Sequence, residues 1–528
     1  MFFNTMKYYK TLFPITHLEY MGRNVDSWLK HSRKIIRNSF LPKEQKHFLE
    51  TLINMNAGSY YLGENILTSY EEQIGARQTL VPNFLKRVLE GKIDLSTIKE
   101  IIDFGIKHEI DLFKSNNEAF GKVGTDYQKQ FIDALKSDDK KALLKMSRHL
   151  IDDQYWIKKG PARLGVNIEQ QYGLEISSEI IYSTNCFELT RIDPIYGPGE
   201  KASDFKRTEE NVIWIVPALL GKEILSLLPN HGMSLVHYLA KFHNVYVISY
   251  KNYKGKALLE ATSEKLLNDI HEILQFMYLS TGLKSILAGY CQGGTIALMG
   301  SLTEKINQLI KGVVTAMAPT DIYDTENIGP MIMALEDLDL VGKYTENGHL
   351  MIDKNCLFLG LKKKGQGNGS EFLASQIKAK KYRERIKELI AEGRDVGEAI
   401  KCLSEEIIYD LAIENWTKSK KSVPPAAVEI TLELFAKGIS DDGLYSKWLY
   451  GKQLDLNYLV ETNTPSYFIY GKHDKVVKKE TATAAGKRLS NSTLIELDCG
   501  HIGPPTEFGI GFQEPFIKAV EEISKKAA

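Results

Sequence analysis

The chain has 528 residues, 43% of them hydrophobic and 25% charged. That is the composition of a soluble globular protein, and the length exceeds one ordinary core, so two or more structural units are expected. Lys plus Arg equals Asp plus Glu at 67 each, which leaves no net attraction for nucleic acid or an anionic membrane and permits an oligomer or a particle-bound form.

No run approaches the ~18 apolar residues of a membrane span, and the opening residues are not apolar enough for a signal peptide. The five cysteines, Cys186, Cys291, Cys356, Cys402 and Cys499, are scattered and include no C-x-x-C pair. They fit neither a disulfide framework nor a metal site. A cytoplasmic, reducing setting is expected, in which a free thiol can act as a nucleophile.

Residues 1–165 are predicted to be mainly helical. Segments 44–55, 97–113 and 126–135 carry apolar residues at helical spacing between Gly and Asn punctuation. None holds a chemical motif. Lys158-Lys159-Gly160-Pro161 reads as a linker.

Beyond it the pattern changes. Strands at 176–182 and 187–192, separated by Ser183-Thr184-Asn185, predict a hairpin. Strands at 212–216, 245–250, 285–288 and 312–317 then alternate with helices at 234–242, 263–279 and 293–302. Such alternation predicts an α/β fold with a mostly parallel sheet covered on both faces. It stops near Pro319 and resumes with a strand at 466–470, a helix at 480–489, a strand at 492–497 and a helix near 514–525. The expected catalytic core is therefore 166–319 plus 464–528. Residues 320–463, with a Gly/Lys-rich stretch at 362–369, form an inserted cap over the carboxyl edge of the sheet, where ligands bind in such folds.

The sharpest motif is Gly289-Tyr290-Cys291-Gln292-Gly293-Gly294, directly after one predicted strand and directly before a helix. A nucleophile elbow requires this context: a tight turn that lifts one side chain above the sheet. The helix N-terminus favours a thiolate and supplies the Gln292 N–H to an oxyanion. A small buried cysteine in a glycine-rich turn is the bland alternative. Two partners at later strand ends weigh against it. Asp474 follows the strand at 466–470, and His501 follows the strand at 492–497, giving the chain order nucleophile, acid, histidine of α/β-hydrolases.

In that arrangement His501 takes the thiol proton, since a cysteine of ordinary pKa about 8.5 is only slightly ionised near neutrality. Asp474 fixes the imidazole tautomer. His473, beside Asp474, is the rival base. A second oxyanion donor is expected after the strand at 212–216, from Ala218 or Leu219, because Pro217 has no N–H.

With these residues in view, the chain resembles the polyhydroxyalkanoate synthases, which polymerise 3-hydroxyacyl-CoA into storage polyester. Gly289–Gly294 matches that family's G-x-C-x-G-G box. The segment from Val216-Pro217 to Leu227 is similar to its V-P-x-x-I-N-x-x-Y-I-L-D-L block. Asp455-Leu456 and Pro465 resemble the approach to its catalytic aspartate, and Gly500-His501-Ile502 its G-H-I.

The resemblance spans about residues 175–510. It implies an α/β-hydrolase fold with a cap, a growing acyl chain on Cys291, His501 activating thiol and incoming hydroxyl, and Asp474 supporting His501. It implies CoA thioester as substrate without metal or bound cofactor, a homodimer, and association with polymer granules in the cytoplasm. A cysteine-dependent hydrolase or thioesterase of the same fold, and a non-catalytic granule scaffold, remain alternatives.

Overall fold

A computed structural model describes residues 15–55, 57–58, 60–62, 79, 82–83, 86, 89–90, 118–119, 121–137, 139–163, 178–197, 199–217, 225, 234–251, 254–321, 342–353, 368–407, 422–423, 425–426, 438–474, 476–501, 503 and 510–527. The helix expected at 97–113 lies outside these residues, as does most of the Gly/Lys-rich stretch.

The chain divides into two compact units. The first comprises Met1–Ile74, Lys99–Val166 and Gln366–Ile407, and the second Gly75–Ile98, Asn167–Gly365 and Ile408–Ala528. Part of the expected insertion, 366–407, thus groups with the N-terminal helices rather than with the rest of the cap.

The second unit carries twelve strands among its described residues: β1 Ser178–Ser183, β2 Phe187–Ile192, β3 Asn211–Ile215, β4 Asn244–Tyr250, β5 Ser285–Tyr290, β6 Ile310–Ala316, β7 Gly342–Tyr344, β8 Leu350–Ile352, β9 Leu444–Leu449, β10 Lys452–Asp455, β11 Ser466–Gly471 and β12 Ser492–Leu497. Eight of them form one sheet in the order β1-β2-β4-β3-β5-β6-β11-β12. The β1–β2 and β2–β4 pairings are antiparallel and the rest parallel. The central strands are buried along their whole length, as Val212-Ile213-Trp214-Ile215 in β3 illustrates, because helices cover both faces. Two small antiparallel hairpins, β7–β8 and β9–β10, lie between β6 and β11.

The helix Ser263–Thr281 shows how sequence sets a local element. Thr262 caps its start, its side chain accepting the Lys265 N–H at 3.3 Å, and Gly282 ends it at φ 71°, a left-handed cap that glycine adopts without strain. Leu266, Leu267, Ile270, Ile273, Leu274 and Met277 make its buried stripe, each contributing roughly 1.5–3 kcal/mol by leaving water.

In the first unit Leu29, Ala57, Tyr61 and Ile151 form a small core with Val25, Ile53 and Tyr60 packed against it. The helix Lys140–Arg163 runs straight through Lys158-Lys159-Gly160-Pro161, where the sequence suggests a linker. Pro161 has no N–H to give the preceding turn, so the helix loses a ladder bond there and ends two residues later at Arg163. The helix Asn368–Ala391 packs on it. Arg383 there ion-pairs with Asp153, which also accepts the Tyr127 hydroxyl.

Candidate active site

The turn between β5 and the helix Gln292–Ser301 is built by close approaches. A Cβ on Gly289 would lie 2.1 Å from the Gly293 carbonyl oxygen, and one on Gly293 would lie 2.0 Å from that of Ile215. Only glycine allows strand, helix and the neighbouring β3 to meet this closely. Cys291 sits at the apex with φ 51° and ψ −126°, a conformation that costs a non-glycine residue about 1–3 kcal/mol and concentrates at functional sites. Its N–H donates to the Ala316 carbonyl at 2.8 Å, and its own carbonyl accepts from Gly294 and Thr295 at 2.9 and 3.3 Å. The backbone is pinned on both sides, while the side chain remains half-buried and accessible.

Asp474 and His501 arrive from the neighbouring strand ends. The exits of β11 and β12 are stitched together by the Lys472 N–H on the Leu497 carbonyl at 2.8 Å and the His473 N–H on the Cys499 carbonyl at 3.0 Å. This brings Asp474 Oδ2 to 2.8 Å from His501 Nδ1, with the carboxylate side chain fully buried and the imidazole 10% exposed. Asp474 Oδ1 accepts the N–H groups of Val476 and Val477, each at 2.8 Å. The Cys291 sulfur lies close enough for its charge to act on the same imidazole.

Burial alone would lower the His501 pKa. The negative charge of the Cys291 sulfur and the Asp474 carboxylate outweigh burial and push it up to about 10. The imidazolium form is thus favoured across the neutral range. Asp474 is the group that orients and stabilises it.

The rival base, His473, points elsewhere. Its side chain is 62% exposed and its Nε2 lies 2.9 Å from Asp498 Oδ1, an exposed pair. Gln292 begins the helix behind Cys291, where N–H groups have no intrahelical acceptor and the dipole favours an anion. Ala218 and Leu219 lie outside the described residues. Tyr290 is a part of the site that the motif did not disclose: fully buried at the end of β5, it donates its hydroxyl hydrogen bond to the His501 carbonyl. A tyrosine before a nucleophile cannot be distinguished in sequence from an ordinary buried strand residue.

No protein-family model matches the chain, and no curated protein matches it. Among solved structures, a thermophilic esterase from Thermogutta terrifontis is 15% identical, covering 66% of this chain and 97% of its own, with a TM-score of 0.35. An alpha/beta fold family hydrolase from Bacillus anthracis str. Sterne is 14% identical over 66% and 98% of the two chains, TM-score 0.34. The enol-lactonase from Burkholderia xenovorans LB400 is 13% identical over 67% and 99%, TM-score 0.32. Among the described residues no helix is long and apolar enough to cross a membrane. The strand order, the elbow after β5 and the helices on both sheet faces give this chain the α/β-hydrolase fold.

Proposed function

We propose that this chain is a polyhydroxyalkanoate synthase-like acyltransferase that polymerises 3-hydroxyacyl-CoA through a thioester on Cys291. The observation that carries the reading is the gathering of the Cys291 sulfur, His501 and Asp474 at neighbouring strand ends, the last two joined at 2.8 Å, with the sulfur carried on a strained elbow.

In the first half-reaction the thiolate adds to the thioester carbonyl of the substrate. The Gln292 N–H, joined by a second donor expected from Ala218 or Leu219, stabilises the resulting oxyanion. Collapse breaks the bond to CoA, whose sulfur takes the proton held by His501. The acyl group is left on Cys291. In the second half, neutral His501 removes the proton of the 3-hydroxyl of the next unit, the oxygen attacks the Cys291 thioester, and an ester forms as the thiolate leaves.

Cysteine suits this sequence better than serine, because the enzyme-bound thioester is a more activated acyl donor towards an alcohol than an oxygen ester. Water in place of the hydroxyl would make the same site a thioesterase. By resemblance to the synthases, the working form is a cytoplasmic homodimer at a polymer granule, with no cofactor.

The test gives the purified chain 3-hydroxybutyryl-CoA and follows free CoA, polymer and free acid together. Polymer with CoA release supports the reading. Free acid with CoA release replaces it by the hydrolase, and absence of CoA release favours the non-catalytic scaffold.

A further inference from the structure

We propose that Tyr290 is a positioning residue that sets the imidazole of His501 against the Cys291 sulfur, an inference that rests on the triad read above. Tyr290 closes β5 and directly precedes the nucleophile, so its backbone position is fixed by the same sheet hydrogen bonds that fix Cys291. Its side chain is fully buried, and its hydroxyl donates to the main-chain carbonyl of His501. Its ring centroid lies 6.0 Å from that of the imidazole, the planes inclined at 56°.

His501 is thereby held at two points. Asp474 grips the imidazole through Nδ1, and Tyr290 grips the backbone that carries it. The first contact fixes one atom of the ring; the second fixes the main chain of the same residue, and it does so from the residue adjoining the sulfur.

The phenol is suited to the task. Burial, then the negative charges of Cys291 and Asp474, raise its pKa well above the ordinary tyrosine value, so it stays a neutral donor throughout the working range. Phenylalanine would fill the same space and leave the His501 carbonyl without this donor.

The test uses the full chain and a probe that needs no acyl substrate: alkylation by iodoacetamide, followed at the Cys291 peptide by mass spectrometry. Tyr290→Phe is expected to slow alkylation at pH 7 by about tenfold through misplacement of the imidazole. In a His501→Gln background the same change should alter the rate by less than about twofold. Wild-type reactivity in Tyr290→Phe, or an equal loss in both backgrounds, would overturn the proposal.

Hydrogen exchange provides a second measure on the same folded samples. The peptide spanning Gly500 to Gly503 should exchange faster in Tyr290→Phe while those of β3 and β4 are unchanged. Unchanged exchange at 500–503 also counts against the assignment. Because neither readout involves CoA, a failure of the polyester reading leaves this result standing, and the reverse holds as well.

Discussion

Asp474 divides its two oxygens between a histidine and the backbone: Oδ2 lies 2.8 Å from His501 Nδ1, and Oδ1 accepts the Val476 and Val477 N–H groups at 2.8 Å each. The carboxylate therefore cannot rotate to compromise between them. Asp474→Asn should keep the backbone bonds through its oxygen and turn its NH2 towards Nδ1, forcing the imidazole into the tautomer that carries its proton on Nε2. That tautomer cannot accept the thiol proton. CoA release should fall by about 10³–10⁴-fold with little change in melting temperature. A variant retaining wild-type turnover would remove Asp474 from the mechanism.

The two adjacent histidine candidates should separate cleanly. His501→Gln is expected to lower turnover by at least about 10²-fold, the scale of a lost general base. His473→Gln breaks only an exposed pair with Asp498 and should leave the rate unchanged. Equal losses in both would contradict the geometry.

The proton on His501 also predicts a pH trend in stability. Its pKa is raised from 6.5 to about 10 in the folded chain, so its contribution is fully present below pH 6.5 and is lost as pH climbs through 10. The melting-temperature advantage of the wild type over His501→Gln should shrink across that interval. A gap that stayed constant, or widened, would show that the imidazole is not held in its charged form.

Gly293→Ala should destabilise the second unit by at least about 3 kcal/mol, since its methyl would press on main-chain oxygen that cannot yield. The Ile215 oxygen would be 2.0 Å away, whereas a Cβ on Gly121 meets nothing within 4 Å. Denaturant unfolding of Gly293→Ala against Gly121→Ala measures the contrast. Equal stability would show that the elbow can relax.

In the first unit, Asp153→Ala leaves the Arg383 guanidinium buried without its carboxylate, a loss of about 3–5 kcal/mol. Replacing both partners together, Asp153→Leu with Arg383→Met, should recover most of it. Recovery would identify the pair as a device of specificity rather than of net stability, and no recovery would mean that its hydrogen bonds dominate.

The central sheet and the placing of Cys291, Asp474 and His501 at neighbouring strand ends were legible because each rests on a local signal. Uninterrupted apolar runs marked β3 and β4, and the glycines around Cys291 marked a turn with no room for side chains. Asp474 and His501 were found by counting strand ends in order. The small hairpins β7–β8 and β9–β10 escaped, their strands being too short to show a period. The helix through Gly160-Pro161 escaped because those residues are punctuation in most contexts. The pairing of 366–407 with the N-terminal helices was hidden for a different reason: Arg383 and Asp153 are 230 positions apart, and charge in an amphipathic helix does not announce its partner. Tyr290 was invisible as a contact for the same reason, its bond to His501 spanning 211 positions.

The claim on which the rest depends is that sulfur 291 carries the acyl group. Brief exposure of the chain to 3-hydroxybutyryl-CoA, an acid quench and peptide mass spectrometry would locate it. The account predicts a hydroxylamine-labile 3-hydroxyacyl adduct on the Cys291 peptide, absent from Cys291→Ala, which should also release no CoA. Continued CoA release by Cys291→Ala, or an adduct confined to Cys186, Cys356, Cys402 or Cys499, would contradict it.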